Sequence, residues 1–385
     1  MVKDKYEYLT CYTGVIENKK MYVVHEALGL LIEYNIEDFS YKILTRIEVG
    51  KTNQFIRVKG IILLQDIIYL VLENSWNIFE YHICSKEMKV NGNGKQYIEG
   101  EFFVEKIILH NTKIWMFPCY IDEDIRIFDT NTKDFTKSKS IGSYLKEGGF
   151  HIESMCFAYY EIINKDTIYA IPYRTNYIII INLILNEYKI FDIGIGNKIE
   201  HINYDGKNFW LNYFNRKTIA KWNAKNGITE EYMINKIEID ERGMPICYIY
   251  EKGENLIIIP SYGQRYILFN KKKRKESFVK YPDNFRRIRQ NPQRYMFYDQ
   301  IKCKDDIYFL PFAGNNLLKV NIKNNTMQFI ETRLCTEDIK KYIFKDVKNM
   351  QSVKELYGYG IEEFIHDLIN TEISFEDRGN GGENG

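Results

Sequence analysis

Two groups of residues could do chemistry. His151 and Glu153 stand two apart, so in an extended segment the imidazole and the carboxylate would point the same way, and His201 adds a second imidazole. Together they could form a metal site or an acid/base pair, although an ordinary hydrogen-bonded histidine asks for no more than this. The second group is cationic. Arg286, Arg287 and Arg289, with Arg294 just beyond, could grip a carboxylate, a phosphate or an acidic peptide through paired N–H donors. Solvated arginines paired with neighbouring carboxylates are the bland alternative. Arg174, Arg216, Tyr262 and Arg265 offer the same planar donors and rigid contact area elsewhere along the chain. No HExxH, GxSxG, Walker loop or helix-opening GxGxxG occurs, so the hydrolase and nucleotide chemistry of those motifs has no signal here.

Composition narrows the classes further. The 385 residues carry 53 Lys+Arg against 52 Asp+Glu, a formal charge of +1 that argues against nucleic acid as a partner. The run KKKRK at 271–275 is expected to be a solvated turn. No apolar stretch approaches the roughly 20 residues of a membrane span, and the charged start MVKDKYE shows no secretion signal. Seven scattered cysteines without a CxxC pair suggest reduced thiols. A cytoplasmic, bacterial protein with no cofactor, no metal and no membrane partner is the expectation, working as a monomer.

Candidate residues must be positioned by something, and an internal repeat supplies it. A pair of apolar or aromatic residues recurs at Met21-Tyr22, Ile68-Tyr69, Ile114-Trp115, Ile168-Tyr169, Phe209-Trp210, Leu256-Ile257 and Ile307-Tyr308. Four copies reach a proline, at Pro118, Pro172, Pro260 and Pro311. Fourteen residues after the first position comes a polar residue, usually Asn, behind a bulky one, as in Tyr34-Asn35, Tyr81-His82, Ile181-Asn182, Trp222-Asn223, Phe269-Asn270 and Val320-Asn321; Phe128-Asp129 arrives one residue late. In the fourth copy the strands are expected near 155–162, 167–172, 177–181 and 187–191, with Asn, Asp and Gly at the hairpin turns. Trp210 and Trp222 occupy both anchors of the fifth copy and are expected in the core.

Copies 41 to 54 residues apart, each four short strands long, predict an all-β, seven-bladed β-propeller. The stretches IWMFPCYIDEDIRIFD, IYAIPYRTNYIIIIN, FWLNYFNRKTIAKWN and IYFLPFAGNNLLKVN resemble blades of bacterial kelch-, NHL- and virginiamycin B lyase-like propellers. The likeness lies in blade grammar: the paired glycines of kelch repeats and the terminal Trp-Asp of WD40 blades are absent. It implies a ring whose second-to-third strand loops and blade connections share one face. In virginiamycin B lyase-like enzymes a histidine and acidic residues work with magnesium on that face, which is what draws attention to His151, Glu153 and His201.

The expected organisation is a propeller over residues 1–332, a helical C-terminal extension over 333–375 and a disordered tail over 376–385. Blade one is expected whole from Glu7 to Ile47 and blade seven from Tyr295 to Thr332, closing by packing without a shared sheet. Helices are expected at Glu337 to Met350 and Ser352 to Asn370, the latter with Ile361, Phe364, Ile365, Leu368 and Ile369 on one face. The function read from this is non-catalytic binding of a protein, peptide or saccharide ligand on the loop-bearing face. The alternative is a lyase or hydrolase at the channel mouth.

Overall fold

The computed structural model describes residues 6–343, apart from 48–56, 74–76, 93–102, 151–157, 163–165, 236–245, 261–264, 289–295 and the single positions 186, 195, 215, 287 and 325. Seven four-stranded antiparallel sheets follow one another, each built from one stretch of chain with its strands in sequence order. The fold is a seven-bladed β-propeller. The blades occupy residues 14–46, 58–91, 104–138, 158–192, 199–233, 246–280 and 297–331. The last five of these all span 35 residues, so the uneven spacing of the repeat lies in the connections between blades.

Register explains the two anchors. Met21 lies opposite Tyr34, Ile168 opposite Ile181, Phe209 opposite Trp222, Leu256 opposite Phe269 and Ile307 opposite Val320 on the second and third strands. The third copy keeps the pairing, Ile114 with Phe128, and absorbs its extra residue in the loop between them. The recurrent Asn then closes the next hairpin. Asn182 Oδ1 accepts from the N–H groups of Ile184 and Leu185, and Asn223, Asn270 and Asn321 make equivalent bonds. Each proline ends its second strand opposite the first residue of the first strand, where a missing N–H costs least.

Alternate side chains of the second and third strands face opposite neighbours. Met21 and Val23 join a cluster with Tyr308, Leu310 and Leu317 of blade seven, while Tyr22 and Val24 pack with Val58, Ile61 and Leu70 of blade two. Both faces are buried, which is why these strands read as near-continuous apolar runs. Trp210 and Trp222 are fully buried, as their anchor positions predict.

The chain divides into two compact units. One comprises residues 1–72, 79–90 and 284–385, and the other residues 73–78 and 91–283. The first holds blades one and seven with most of blade two; the second holds blades three to six.

Ring closure departs from expectation in one respect. Blades one and seven each complete their own sheet, but blade one starts at Gly14; Tyr6–Tyr8 instead pairs antiparallel with Arg333–Cys335 in a separate two-stranded ribbon. A helix at Thr336–Ile343 follows and packs on the fourth strand of blade one, Tyr41–Arg46. Ile339 is fully buried there, the Tyr41 hydroxyl accepts from Cys335 N (2.8 Å) and donates to Asp338 (3.0 Å), and the Tyr342 hydroxyl donates to Ile43 O (2.6 Å). The second expected helix lies outside the described residues. A further helix, Ile141–Glu147, capped by Ser140, fills the long connection after blade three and was not expected.

Candidate functional site

Loops between second and third strands were expected to form one open rim, and they differ sharply in exposure. In blade one His25 and Glu26 are buried. The N-terminal segment crosses them: Glu26 N donates to Thr10 O (2.8 Å), and His25 Nε2 lies 3.1 Å from Tyr8 O. In blade seven Phe312, Ala313 and Asn315 are likewise buried, under the incoming connection: Asn315 Nδ2 donates to Asn284 O and Ile288 N donates to Ala313 O, both at 2.8 Å. In blade three the helix Ile141–Glu147 lies against the loop, with Gly142 N donating to Ile121 O (2.7 Å). The loops of blades four and five remain open. The expected rim stretches of blades one and seven are therefore packing surfaces, crossed by chain-end and connecting segments, while blade three keeps Asp122 and Asp124 exposed.

The open stretch is built by three strand ends. Tyr173 and Arg174 turn blade four from its second to its third strand, and Arg174 N donates to Ile199 O at 3.0 Å, tying the turn to the start of blade five. Phe214 continues the second strand of blade five and its N–H donates to Lys198 O at 2.8 Å. The Arg174 guanidinium lies over the Phe214 ring at 3.9 Å and the Tyr173 ring at 4.6 Å. Contact with two rings whose planes lie at 70° to each other restrains the head group of an exposed side chain. Arg216 Nη1 donates to Asn197 Oδ1 (2.8 Å), which holds its head group beside Gly196. A φ of +86° at Gly196 is one that glycine adopts without strain. Arg174 itself adopts φ +59°, a backbone that favours glycine, in a side chain that is exposed. Lys198 is also exposed between them.

Other expected site residues are placed differently. Arg265 starts the third strand of blade six and packs its guanidinium 3.8 Å from the Phe278 ring. Arg286 belongs to the closure seam: its backbone N donates to Asn315 Oδ1 (2.8 Å) and its Nη2 to the Tyr8 hydroxyl (3.2 Å). Tyr262, Arg287, Arg289, Arg294, His151 and Glu153 lie outside the described residues. His201 stands in the first strand of blade five. Burial, and then the positive charge of Lys106, push its imidazole down to about 4, so it is neutral at physiological pH. No group of three or more His, Cys, Asp or Glu placed to hold a metal occurs among the described residues. In the KKKRK turn, Lys271 is bonded to Glu251, which also accepts from Lys221 at 2.8 Å. That turn is anchored at its first lysine.

A feature not read from the sequence recurs in the first strands. The pairing slips after the first residue in blades two, three, five, six and seven, so Lys59, Glu105, Glu200 and Cys247, and Tyr298 with Asp299, stand at β-bulges. Bulges re-aim side chains. Lys59 is buried, donates to the Tyr298 hydroxyl (2.5 Å) and lies 5.0 Å from the Tyr12 ring, while Thr13 donates to Asp299 (2.9 Å). Glu105 accepts from the Cys119 thiol (3.4 Å) and Glu200 from Asn212 (3.3 Å). A charged residue second in the strand was the available signal in blades two, three and five.

No protein-family model matches the chain, and no match emerges among curated proteins. Solved structures do match, and they are propeller proteins. A streptogramin B lyase structure aligns with TM-score 0.53 and 10% identity over 84% of this chain and 94% of that one. YCF48 bound to D1 peptide aligns at 0.51 and 11%, over 83% and 96%. The extracellular domain of the one-component system BT4673 from B. thetaiotaomicron aligns at 0.52 and 11%, covering 84% of this chain, which spans only 42% of the length of that one. At such identity the likeness shows the fold alone. The neighbours include binding proteins and lyases.

Proposed function

We propose that this chain is a non-catalytic binding protein that presents the exposed edge of blades four and five to a protein or peptide. One observation carries the reading. The Arg174 guanidinium sits against both Tyr173 and Phe214, on an exposed side chain, at a backbone angle that a glycine would adopt more cheaply. Lys198 stands in the connection between the two blades, and Arg216 reaches that connection from the loop of blade five by its bond to Asn197. Preorganised, rigid donors lose little entropy on binding, which is what a recognition surface needs. A saccharide would instead call for an open aromatic face, and the guanidinium covers one face of each ring. The enzyme alternative has one described member, His201, kept neutral by burial beside Lys106, next to a Glu200 engaged by Asn212.

A peptide-binding neighbour, YCF48 with D1 peptide, supports the class of ligand by analogy of fold only. We place the protein in the cytoplasm, a reading that the free thiols of Cys11, Cys84, Cys119, Cys303 and Cys335 support. The test is to pan a random-sequence peptide display library on the immobilised full chain. Enriched peptides are then measured against Arg174→Gly and against Lys225→Ala, an exposed turn residue of the same charge. Enrichment lost in the first variant and kept in the second is expected. No enrichment, or enrichment indifferent to Arg174 and Arg216, rejects the reading.

A further inference from the structure

Several cations of this protein are paired with carboxylates. Around blade three, Lys137 pairs with Asp124 (3.5 Å), Lys139 with Glu147 (2.6 Å) and Lys146 with Asp122 (3.7 Å). At the closure seam Arg333 pairs with Glu331 (2.7 Å) and Arg286 donates to Tyr8. Lys221 and Lys271 converge on Glu251. The edge around the connection between blades four and five gathers three cations that lack such a partner among the described residues. Arg174 makes ring contacts only, Arg216 donates to the neutral Asn197, and Lys198 is exposed with no carboxylate beside it among the described residues. The carboxylate native to this edge, Asp192, is occupied by the side chain of Asn176 and by Gly194 N (2.8 Å). Glu231, on the fourth strand of blade five, accepts from the Tyr213 hydroxyl (3.0 Å).

We infer that the occupant of this edge is an acidic peptide segment, whose Asp or Glu carboxylates pair with Arg174, Lys198 and Arg216. The inference rests on the reading of the edge as a ligand face and names its chemistry. A guanidinium restrained by ring contacts keeps its planar fork of parallel N–H donors, and a carboxylate matches that fork bidentately. Arginine clusters that read acidic motifs work in this way. With the whole molecule near neutrality, the local excess of positive charge sets partner sign at short range, inside a Debye length of roughly 8 Å at physiological ionic strength.

The test uses the full chain and two fluorescein-labelled ten-residue peptides, one alternating Glu and Asp, the other Gln and Asn, read by fluorescence anisotropy. The acidic peptide should bind about tenfold or more tightly than its amide counterpart, the ratio expected for one lost charge-assisted pair. Its affinity should fall severalfold between about 50 and about 300 mM NaCl, as the Debye length shortens from roughly 14 to roughly 6 Å. Arg174→Gly should remove about tenfold, and Lys225→Ala nothing. Equal binding of the two peptides, still dependent on Arg174, overturns the acidic class and leaves a peptide-binding face standing. Acidic binding that is indifferent to Arg174 and Arg216 overturns the site, and no binding of the acidic peptide overturns the inference outright.

Discussion

Replacing Ile339 by alanine tests whether the C-terminal helix is a latch on ring closure. The side chain is fully buried in one cluster with Leu9, Cys11, Met21, Tyr34 and Leu334, and that cluster joins blade one, the N-terminal segment and the ribbon strand. Truncating a buried Ile to Ala costs about 2–5 kcal/mol, from lost transfer energy and the cavity left behind. The helix Thr336–Ile343 is too short to hold its shape unaided, so the loss falls on docking. Unfolding entropy of about 2.1 cal/mol/K per residue, over a ring of roughly 330 residues, gives ~0.7 kcal/mol/K. The melting temperature should therefore fall by about 3–7 °C in a calorimetric scan, provided the seam unfolds with the ring. Tyr342→Phe, which deletes the bond to Ile43 O, should cost about 1 kcal/mol and move the transition by ~1–2 °C. Amide exchange gives the local reading. Leu9 N donates to Thr332 O at 2.9 Å, and Tyr6–Tyr8 pairs with Arg333–Cys335, so these amides should lose protection in Ile339→Ala. An unchanged transition together with unchanged protection at residues 7–9 would refute the latch.

Two further outcomes follow from the second unit. Arg174→Gly removes ring stacking worth about 0.5–1 kcal/mol and adds unfolded-state entropy, but relieves a φ of +59°; thermal stability should stay within about 1 kcal/mol of the parent, and a larger loss in a denaturant titration would show that the arginine serves packing. His201 has a folded pKa near 4, below the unfolded value of about 6.5, so the unfolded chain binds a proton that the folded chain refuses. Stability should fall as pH drops from about 6.5 towards 4, by on the order of 3 kcal/mol from this group alone, and His201→Gln should lose less over that window; identical urea midpoints across pH for the two proteins would contradict it.

Blade number and strand order were legible because each blade repeats a local rule. The pairs Phe209 with Trp222 and Leu256 with Phe269 meet across one hairpin, so their separation in sequence is their separation in structure. Asn182, Asn223, Asn270 and Asn321 mark hairpins through bonds to N–H groups two or three residues on, which is also a local effect. What escaped reading is non-local. Tyr6–Tyr8 and Arg333–Cys335 are three residues each, too short for alternation to show, and they meet only once the ring is closed. The burial of His25 and Glu26 depends on that same meeting, so residues that read as a polar loop end up beneath Thr10 and Tyr8. The helix Ile141–Glu147 was missed because seven residues carry too little periodicity to stand out.

These unread contacts decide which loops can recognise anything. A propeller offers similar loops on every blade, so selection among them must come from what covers each one. In blades one and seven the segments that close the ring use up the loop backbone: Cys11 N donates to Pro311 O, and Asn315 exchanges bonds with Arg286. In blade three a helix bonds to the loop at Ile121 and leaves Asp122 and Asp124 exposed. At blades four and five the connection is short, running from Ile193 to Lys198 with glycines at 194 and 196, and it leaves too little chain to fold back over Tyr173 and Phe214. The shortest described connection thus leaves an open edge, and that edge carries three cations without a carboxylate partner among the described residues. Lengthening it should act like a lid: inserting about six Gly/Ser residues after Gly196 should leave the blades folded, since loop closure costs only about 0.6 kcal/mol per doubling of length. Binding of the acidic peptide should weaken all the same, because Asn197 would no longer be held under Arg216. Affinity undiminished by the insertion would mean that the edge does not depend on the tight connection that frames it.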